Sequence, residues 1–245
     1  MRLVDAHTHL QPSQFAAASE LARQGLWQLV AATSPAELPP LLALAQASHR
    51  IIPTCGLHPW QASDWEKDKC SLTTCLQQVA IIGEIGLDTV WTTLPLNKQL
   101  AAFTYQLQLA AAWGKPVILH TKGAEAEVLQ WLQRHTPPRI MVHWYAGDPA
   151  YLTGYIDLGC YFTLGPDIAT NVAVQAVAEQ VPLHRILTET DGTEAVAWAR
   201  GKACAMQDVP QVLMQTLEIV AALKGLDIAE VQNEIYNNLM RFLAD

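Results

Sequence analysis

Charge is scarce in this 245-residue chain, and the little there is leans acidic: 16% of residues are charged, with 15 basic against 23 acidic, a net charge of −8 at pH 7. That balance excludes the broad basic surface by which proteins grip duplex DNA non-specifically, so any nucleic-acid contact is expected to be local and transient. Long apolar runs are also missing. The longest uncharged stretch, between Lys98 and Lys115, contains Gln99, Gln106 and Gln108, and it falls short of the ~18 apolar residues of a membrane span. Cysteines are few and show no C-x-x-C pair: Cys55, Cys70, Cys75, Cys160 and Cys204. Neither a disulfide framework nor a zinc ribbon is expected, only reduced thiols in a cytoplasmic protein. The opening M-R-L-V-D-A-H-T-H-L lacks the basic, apolar and small-residue succession of a signal peptide, so no cleavage is expected. No linker, charge block or low-complexity segment divides the chain, and one domain is expected over residues 1–245.

What is present is an alternation of two periods. Runs of β-branched and aliphatic residues at Leu3–Ala6, Leu26–Ala32, Ile51–Cys55, Val79–Gly83, Pro116–Leu119, Ile140–Val142, Tyr161–Leu164 and Arg185–Thr188 read as eight strands. Segments with helical spacing lie between them, such as Leu100, Phe103, Leu107 and Ala110, or Val212, Leu213, Leu217 and Val220. Apolar strands alternating with helices imply a parallel sheet covered by helices, and eight such units predict an α/β protein with a (β/α)8 TIM barrel. The irregular stretch from Gly192 to Gln207 is expected to be a long loop after the last strand.

Chemistry-bearing residues fall at the strand ends. His7 and His9 stand two apart at the end of the first strand, where the period of two points both imidazoles to one side. Glu84, His120, His143 and Asp191 follow strands four, five, six and eight. Taken singly, each is better read as a packed histidine, a helix cap or a solvated charge. Four imidazoles and two carboxylates on one rim, however, suit a pair of divalent ions with nitrogen and oxygen ligands. Nearby residues are substrate-binding candidates: Lys122, Arg200 and Lys202 for a phosphate, His58 for the pocket lining, and Trp60, Trp91 or Trp144 for stacking a base. His49, His135 and His184 read as surface or capping residues.

At these residues the chain resembles the TatD family of metal-dependent hydrolases within the amidohydrolase superfamily. The resemblance is carried by V-D-A-H-T-H-L at 4–10, G-L-H-P at 56–59, G-E-I-G-L-D at 83–88, V-I-L-H-T-K at 117–122, V-H-W-Y-A-G at 142–147, T-E-T-D at 188–191 and N-L-M-R-F at 238–242. It implies two divalent ions (Mg, Mn or Zn), one held by His7, His9, Glu84 and Asp191 and the other by Glu84, His120 and His143, with Glu84 as the bridge. It also implies hydrolysis of phosphodiester bonds, commonly in DNA, by a metal-bridging hydroxide with Glu84 and Asp191 in catalytic roles. Two departures stand out. Gly192 and Thr193 replace the family's usual Ser or Ala followed by Pro, and Lys122 replaces an arginine, keeping the charge without the bidentate fork. The alternative is a metal-dependent hydrolase of a small amide, lactone or ester. A non-catalytic barrel scaffold ranks below both, because all six ligand candidates are present.

Overall fold

The computed structural model describes residues 2–67 and 69–244; residues 1, 68 and 245 of the expected domain lie outside it. Eight strands form one sheet in sequence order: β1 (Leu3–Thr8), β2 (Leu26–Ala32), β3 (Ile51–Cys55), β4 (Ile81–Gly86), β5 (Val117–His120), β6 (Ile140–Val142), β7 (Tyr161–Leu164) and β8 (Ile186–Thr188). The β1–β2, β3–β4, β4–β5, β5–β6 and β7–β8 ladders are parallel, and β8 lies against β1, where the Thr188 hydroxyl donates to the Val4 carbonyl at 2.6 Å. Sequential parallel pairing that returns to its first strand is the (β/α)8 barrel fold, as the alternating pattern predicts. β1 and β4 are buried along their whole length, including Asp5, His7, Thr8 and Glu84, as strands covered on both faces are.

Two compact units make up the chain. The first comprises Met1–Val30, Leu42–Ile52 and Phe162–Asp245. It contains β1, β8 and the helices α1 (Phe15–Arg23), α7 (Val172–Gln180), α8 (Thr193–Arg200), α9 (Val209–Lys224) and α10 (Ile228–Leu243). Its core joins Leu3 and Val4 to Val212, Leu213, Leu217 and Val220 of α9 and to Val231, Ile235, Leu239 and Phe242 of α10. Burying each of these larger side chains contributes roughly 1.5–3 kcal/mol. The second unit comprises Ala31–Leu41 and Pro53–Tyr161. It contains β4, β5, β6 and the helices α3 (Lys69–Gln78), α4 (Leu96–Trp113), α5 (Glu125–Arg134) and α6 (Pro149–Asp157). Ile82, Ile85, Ile118, Leu119, Met141 and Val142 are buried there with Phe103 and Leu107 of α4. The long uncharged stretch belongs to α4, and among the described residues no helix is long and apolar enough to cross a membrane.

Two expectations are overturned. The segment after β8 is not a long loop, because Thr193–Arg200 forms α8; its sequence, T-E-A-V-A-W-A-R, is rich in good helix formers and puts Glu194 in the first turn, where the helix dipole favours an acid. The thiols are not all free either: Cys55, at the end of β3, is disulfide-bonded to Cys75 on α3, with Cα atoms 6.5 Å apart. A separation of 20 residues carries no recognisable spacing signal, and it is the packing of α3 over the end of β3 that brings the sulfurs together. Cys70, Cys160 and Cys204 take no part in the disulfide.

Among the five ladders named above two are irregular, and both irregularities fall at chemistry-bearing residues. The β1–β2 register slips between Asp5 and Thr8, around His7. The β4–β5 register slips between Ile82 and Ile85, around Glu84. Bulges re-aim side chains at strand ends and are frequent beside active sites.

Candidate functional site

In the first unit, His7 lies within β1 and is fully buried, whereas His9 follows the strand. Their rings meet edge to face with centroids 4.9 Å apart, and the Nε2 atoms of both lie 3.4 Å from Asp191 Oδ1. These three residues offer ligand atoms close enough together to hold one metal ion. Asp191 has φ 58°, a left-handed backbone that Asp tolerates better than most residues, and its amide donates to the His7 carbonyl at 3.1 Å. The next residue, Gly192, has φ 90°, and a Cβ there would sit 2.8 Å from the His9 carbonyl oxygen. This close approach accounts for glycine at this position.

Behind this trio stands a buried network that the sequence does not announce. Asp5 accepts from the Thr190 amide at 2.8 Å and the Thr190 hydroxyl at 2.7 Å. The Thr190 hydroxyl also lies 3.2 Å from that of Thr8 and accepts from the Gly192 amide. Burial pushes the Asp5 carboxyl up to about 7, against the opposing pull of the Thr190 hydrogen bonds. Thr190 thereby locks the turn that presents Asp191.

In the second unit, one carboxylate oxygen collects three imidazoles. Glu84 Oε1 lies 2.7 Å from His120 Nδ1, 2.8 Å from His143 Nε2 and 3.6 Å from His58 Nε2. His120 Nδ1 and His143 Nε2 are themselves 3.1 Å apart. His58, only a pocket-lining candidate from sequence, groups with Glu84 and His120 in a set able to hold a metal. Its Nδ1 accepts from the Trp60 amide at 3.2 Å, which leaves Nε2 to carry the proton towards Glu84. Gly86, with φ 152°, permits this clustering because a Cβ there would collide with the His120 carbonyl oxygen.

Asp88 is the residue that sequence reasoning missed. It is fully buried, and its Oδ2 lies 3.0 Å from His120 Nε2 and accepts from the Trp60 indole at 2.7 Å. Its Oδ1 accepts from the amides of Val90 and Trp91 at 2.7 and 2.8 Å. Burial would raise its pKa, but the hydrogen bonds from His120, Trp91, Trp60 and Val90 outweigh that and hold the carboxyl well below the ordinary range. Burial would likewise lower the pKa of His120, and the hydrogen bonds to Asp88 and Glu84 raise it instead. A carboxylate on the far nitrogen of a histidine is the usual partner that orients a metal ligand. Helix α4 supports this arrangement. Gln99 clamps Asp88 by accepting from its amide and donating to its carbonyl, both at 2.8 Å. Gln106 does the same for Leu57, just before His58, at 2.7 and 3.2 Å.

The remaining candidates are placed as follows. Lys122 is half-buried two residues past His120, and its carbonyl accepts from Thr89. Arg200 is not in a strand-to-helix loop, being the last residue of α8, and its guanidinium donates to Gln215 and the Val212 carbonyl. Lys202 follows α8 as an exposed residue, outside any loop that directly leaves a strand. Trp60 and Trp91 are about half exposed, and Trp144 is half-buried with φ 38°. His49 and His184 are exposed, and His135 stacks on Trp131.

The donor chemistry of both sets is imidazole and carboxylate without thiolate, which fits a divalent cation. Three imidazoles packed on a buried carboxylate, two of them nitrogen to nitrogen, also constitute a polar cluster that burial penalises unless a proton or a cation compensates it.

Comparison with known proteins finds metal-dependent hydrolases and nucleases among the relatives. The chain is 27% identical over 256 residues, covering 98% of it and 95% of the relative, to an uncharacterized metal-dependent hydrolase, YcfH, of Escherichia coli strain K12. It is 29% identical over 222 residues, covering 86% of it and 85% of the relative, to the 3'-5' ssDNA/RNA exonuclease TatD of Enterobacter lignolyticus. The crystal structure of YJJV, a TatD homolog from Escherichia coli K12, superposes with a TM-score of 0.83 at 25% identity, covering 98% of this chain and 97% of that one. A family model described as TatD related DNase matches residues 4–244, and with essentially the whole chain matched, this protein belongs to the TatD family.

Proposed function

We propose that the protein is a divalent-metal-dependent phosphodiesterase, a deoxyribonuclease acting on DNA as a transient substrate. The observation that carries this reading is the gathering of His58, His120 and His143 on the buried Glu84 carboxylate. His7, His9 and Asp191 form a matching set at the ends of β1 and β8. The proposal calls for two divalent ions (Mg, Mn or Zn), for which His7, His9 and Asp191 would supply one set of ligands and Glu84, His120 and His143 the other. Bound there, divalent ions neutralise charge on phosphoryl oxygens and acidify water to a pKa of about 7.

The protein's own groups do the rest. Asp191, the more exposed carboxylate, accepts the proton of the attacking water and returns it to the leaving oxygen. Asp88 holds the His120 ring in one orientation. His58 Nε2 directs its proton at Glu84 and steadies that carboxylate. Lys122 draws the phosphate towards the rim.

The match over residues 4–244 supports one functional domain spanning the chain. The reading takes the protein to be cytoplasmic, although the Cys55–Cys75 bond is of a kind more at home in an oxidising compartment. The net charge of −8 favours a second reading, hydrolysis of a small amide, lactone or ester. The test is to strip the purified protein with a chelator, reload it with each metal, and assay single-stranded DNA beside a panel of small esters, lactones and amides. Metal-restored release of nucleotides supports the first reading; turnover of the panel alone would replace it with the second.

A further inference from the structure

Among the described residues seven large hydrophobic side chains are exposed, and three of them, Trp60, Val90 and Trp91, are 50%, 54% and 56% exposed and hang from one buried carboxylate. Asp88 accepts the Trp60 indole N–H and the backbone amides of Val90 and Trp91. The same Asp88 oxygen that holds the indole lies 3.0 Å from His120. The loop after β4 is further tied to the loop after β5, where Thr89 donates to the Lys122 carbonyl at 2.9 Å and to the Gly123 carbonyl through its hydroxyl. Two indoles and a valine are thus presented to solvent on a framework fixed by hydrogen bonds beside the Glu84 cluster.

We propose that Trp60, Val90 and Trp91 form a base-stacking subsite that seats an unpaired nucleobase next to the scissile phosphodiester. The inference rests on the phosphodiesterase reading above and adds what selects the substrate. Exposed indoles cost free energy in water, and a planar base covers them with an unhydrated π-face. Trp60 is pinned at its only polar edge, so its ring loses little freedom when a base stacks on it. The charge balance points the same way. The chain carries a net charge of −8, and several of its lysines are already committed. Lys115 donates to the carbonyls of Leu76, Gln77 and Val79. Lys224 donates to those of Glu179 and Val181. Lys69 lies over the rings of Trp65 and Tyr105. With Lys122 the only lysine assigned to the phosphate, stacking supplies much of the affinity of the metal-stripped protein, and its binding should depend only shallowly on salt. Small aliphatic esters or lactones would gain nothing from this surface.

The experiment is fluorescence anisotropy of the full-length, metal-stripped protein with a labelled oligo(dT) and with an abasic oligonucleotide of the same length, repeated over a range of salt. It is paired with cleavage of both strands by the metal-loaded enzyme. The wild type should prefer the base-bearing strand. Trp60→Ala and Trp91→Ala should each reduce that preference about tenfold or more, while Trp91→Phe, which keeps a ring, should retain most of it. Circular dichroism establishes that each variant is folded, and because Trp91 is a surface residue its variants keep the test alive should Trp60→Ala fail to fold. Equal affinity of the wild type for both strands, or an undiminished preference in folded Trp60→Ala and Trp91→Ala, would overturn the subsite. Cleavage of both strands at equal rates would likewise remove the subsite while leaving the phosphodiesterase reading intact. Base-selective binding without cleavage of either strand would remove that reading and leave the subsite standing.

Discussion

The two ligand sets differ in how they are held. In the second unit, Glu84, His58, His143 and His120 have side chains only 2–12% exposed, and a buried carboxylate and two glutamine clamps stand behind them. In the first unit His7 is buried, but His9 and Asp191 are 29% and 23% exposed, and Asp191 stands on a turn held by Thr190. One set is an anchor and the other an open face. A hydrolase needs both, since ligands that must not move belong in a packed setting, whereas a group that exchanges protons with water and product needs access to solvent.

That contrast can be broken most decisively at Glu84. Glu84→Ala should remove bound metal and lower turnover by roughly 10³-fold, whereas His9→Ala should do markedly less to metal retention. Elemental analysis beside steady-state rates checks this, and equal metal loss in the two variants would erase the distinction between anchor and open face. Next in size is the disulfide of the second unit. Reducing Cys55–Cys75, or replacing Cys75 with Ser, should cost about 3 kcal/mol in a denaturant titration, the loop-closure value for a loop of this length. Asp88→Asn keeps the shape but weakens its hold on His120, and it should lower metal affinity or activity about 10- to 100-fold. Thr190→Val, in the first unit, removes one of the two Thr190 hydrogen bonds to buried Asp5 and should cost about 1–3 kcal/mol of stability. If Thr190→Val lowered metal affinity as far as Asp88→Asn does, the open set would prove to be as tightly held as the anchor.

Much of this architecture was legible in the sequence because burial leaves a strong signature. The bounds of β2, β3, β6 and β7 coincide with the apolar runs. β4 starts two residues later than its run, at Ile81, because the Val79 carbonyl is spent on Lys115 instead of on the sheet. His7, Glu84 and His120 were legible because histidine and glutamate are out of place in or at the end of an apolar strand. Asp88, Gln99 and Gln106 were not. An Asp after a strand looks like any cap, and a glutamine in a helix looks solvated until the fold brings a loop against it. Arg200 misled for the opposite reason: its sequence neighbourhood suggested a loop, and only the tertiary structure shows its guanidinium resting on α9.

Gln99 and Gln106 sit seven residues apart on one side of α4, about 10.5 Å along its axis, and each hooks the backbone of a different rim loop. The helix therefore works as a ruler whose two marks set where those loops sit. Adding or deleting a single residue between the marks would swing one of them about 100° around the axis and unhook its loop. This stretch of α4 can change its surface residues freely, but it cannot change its length.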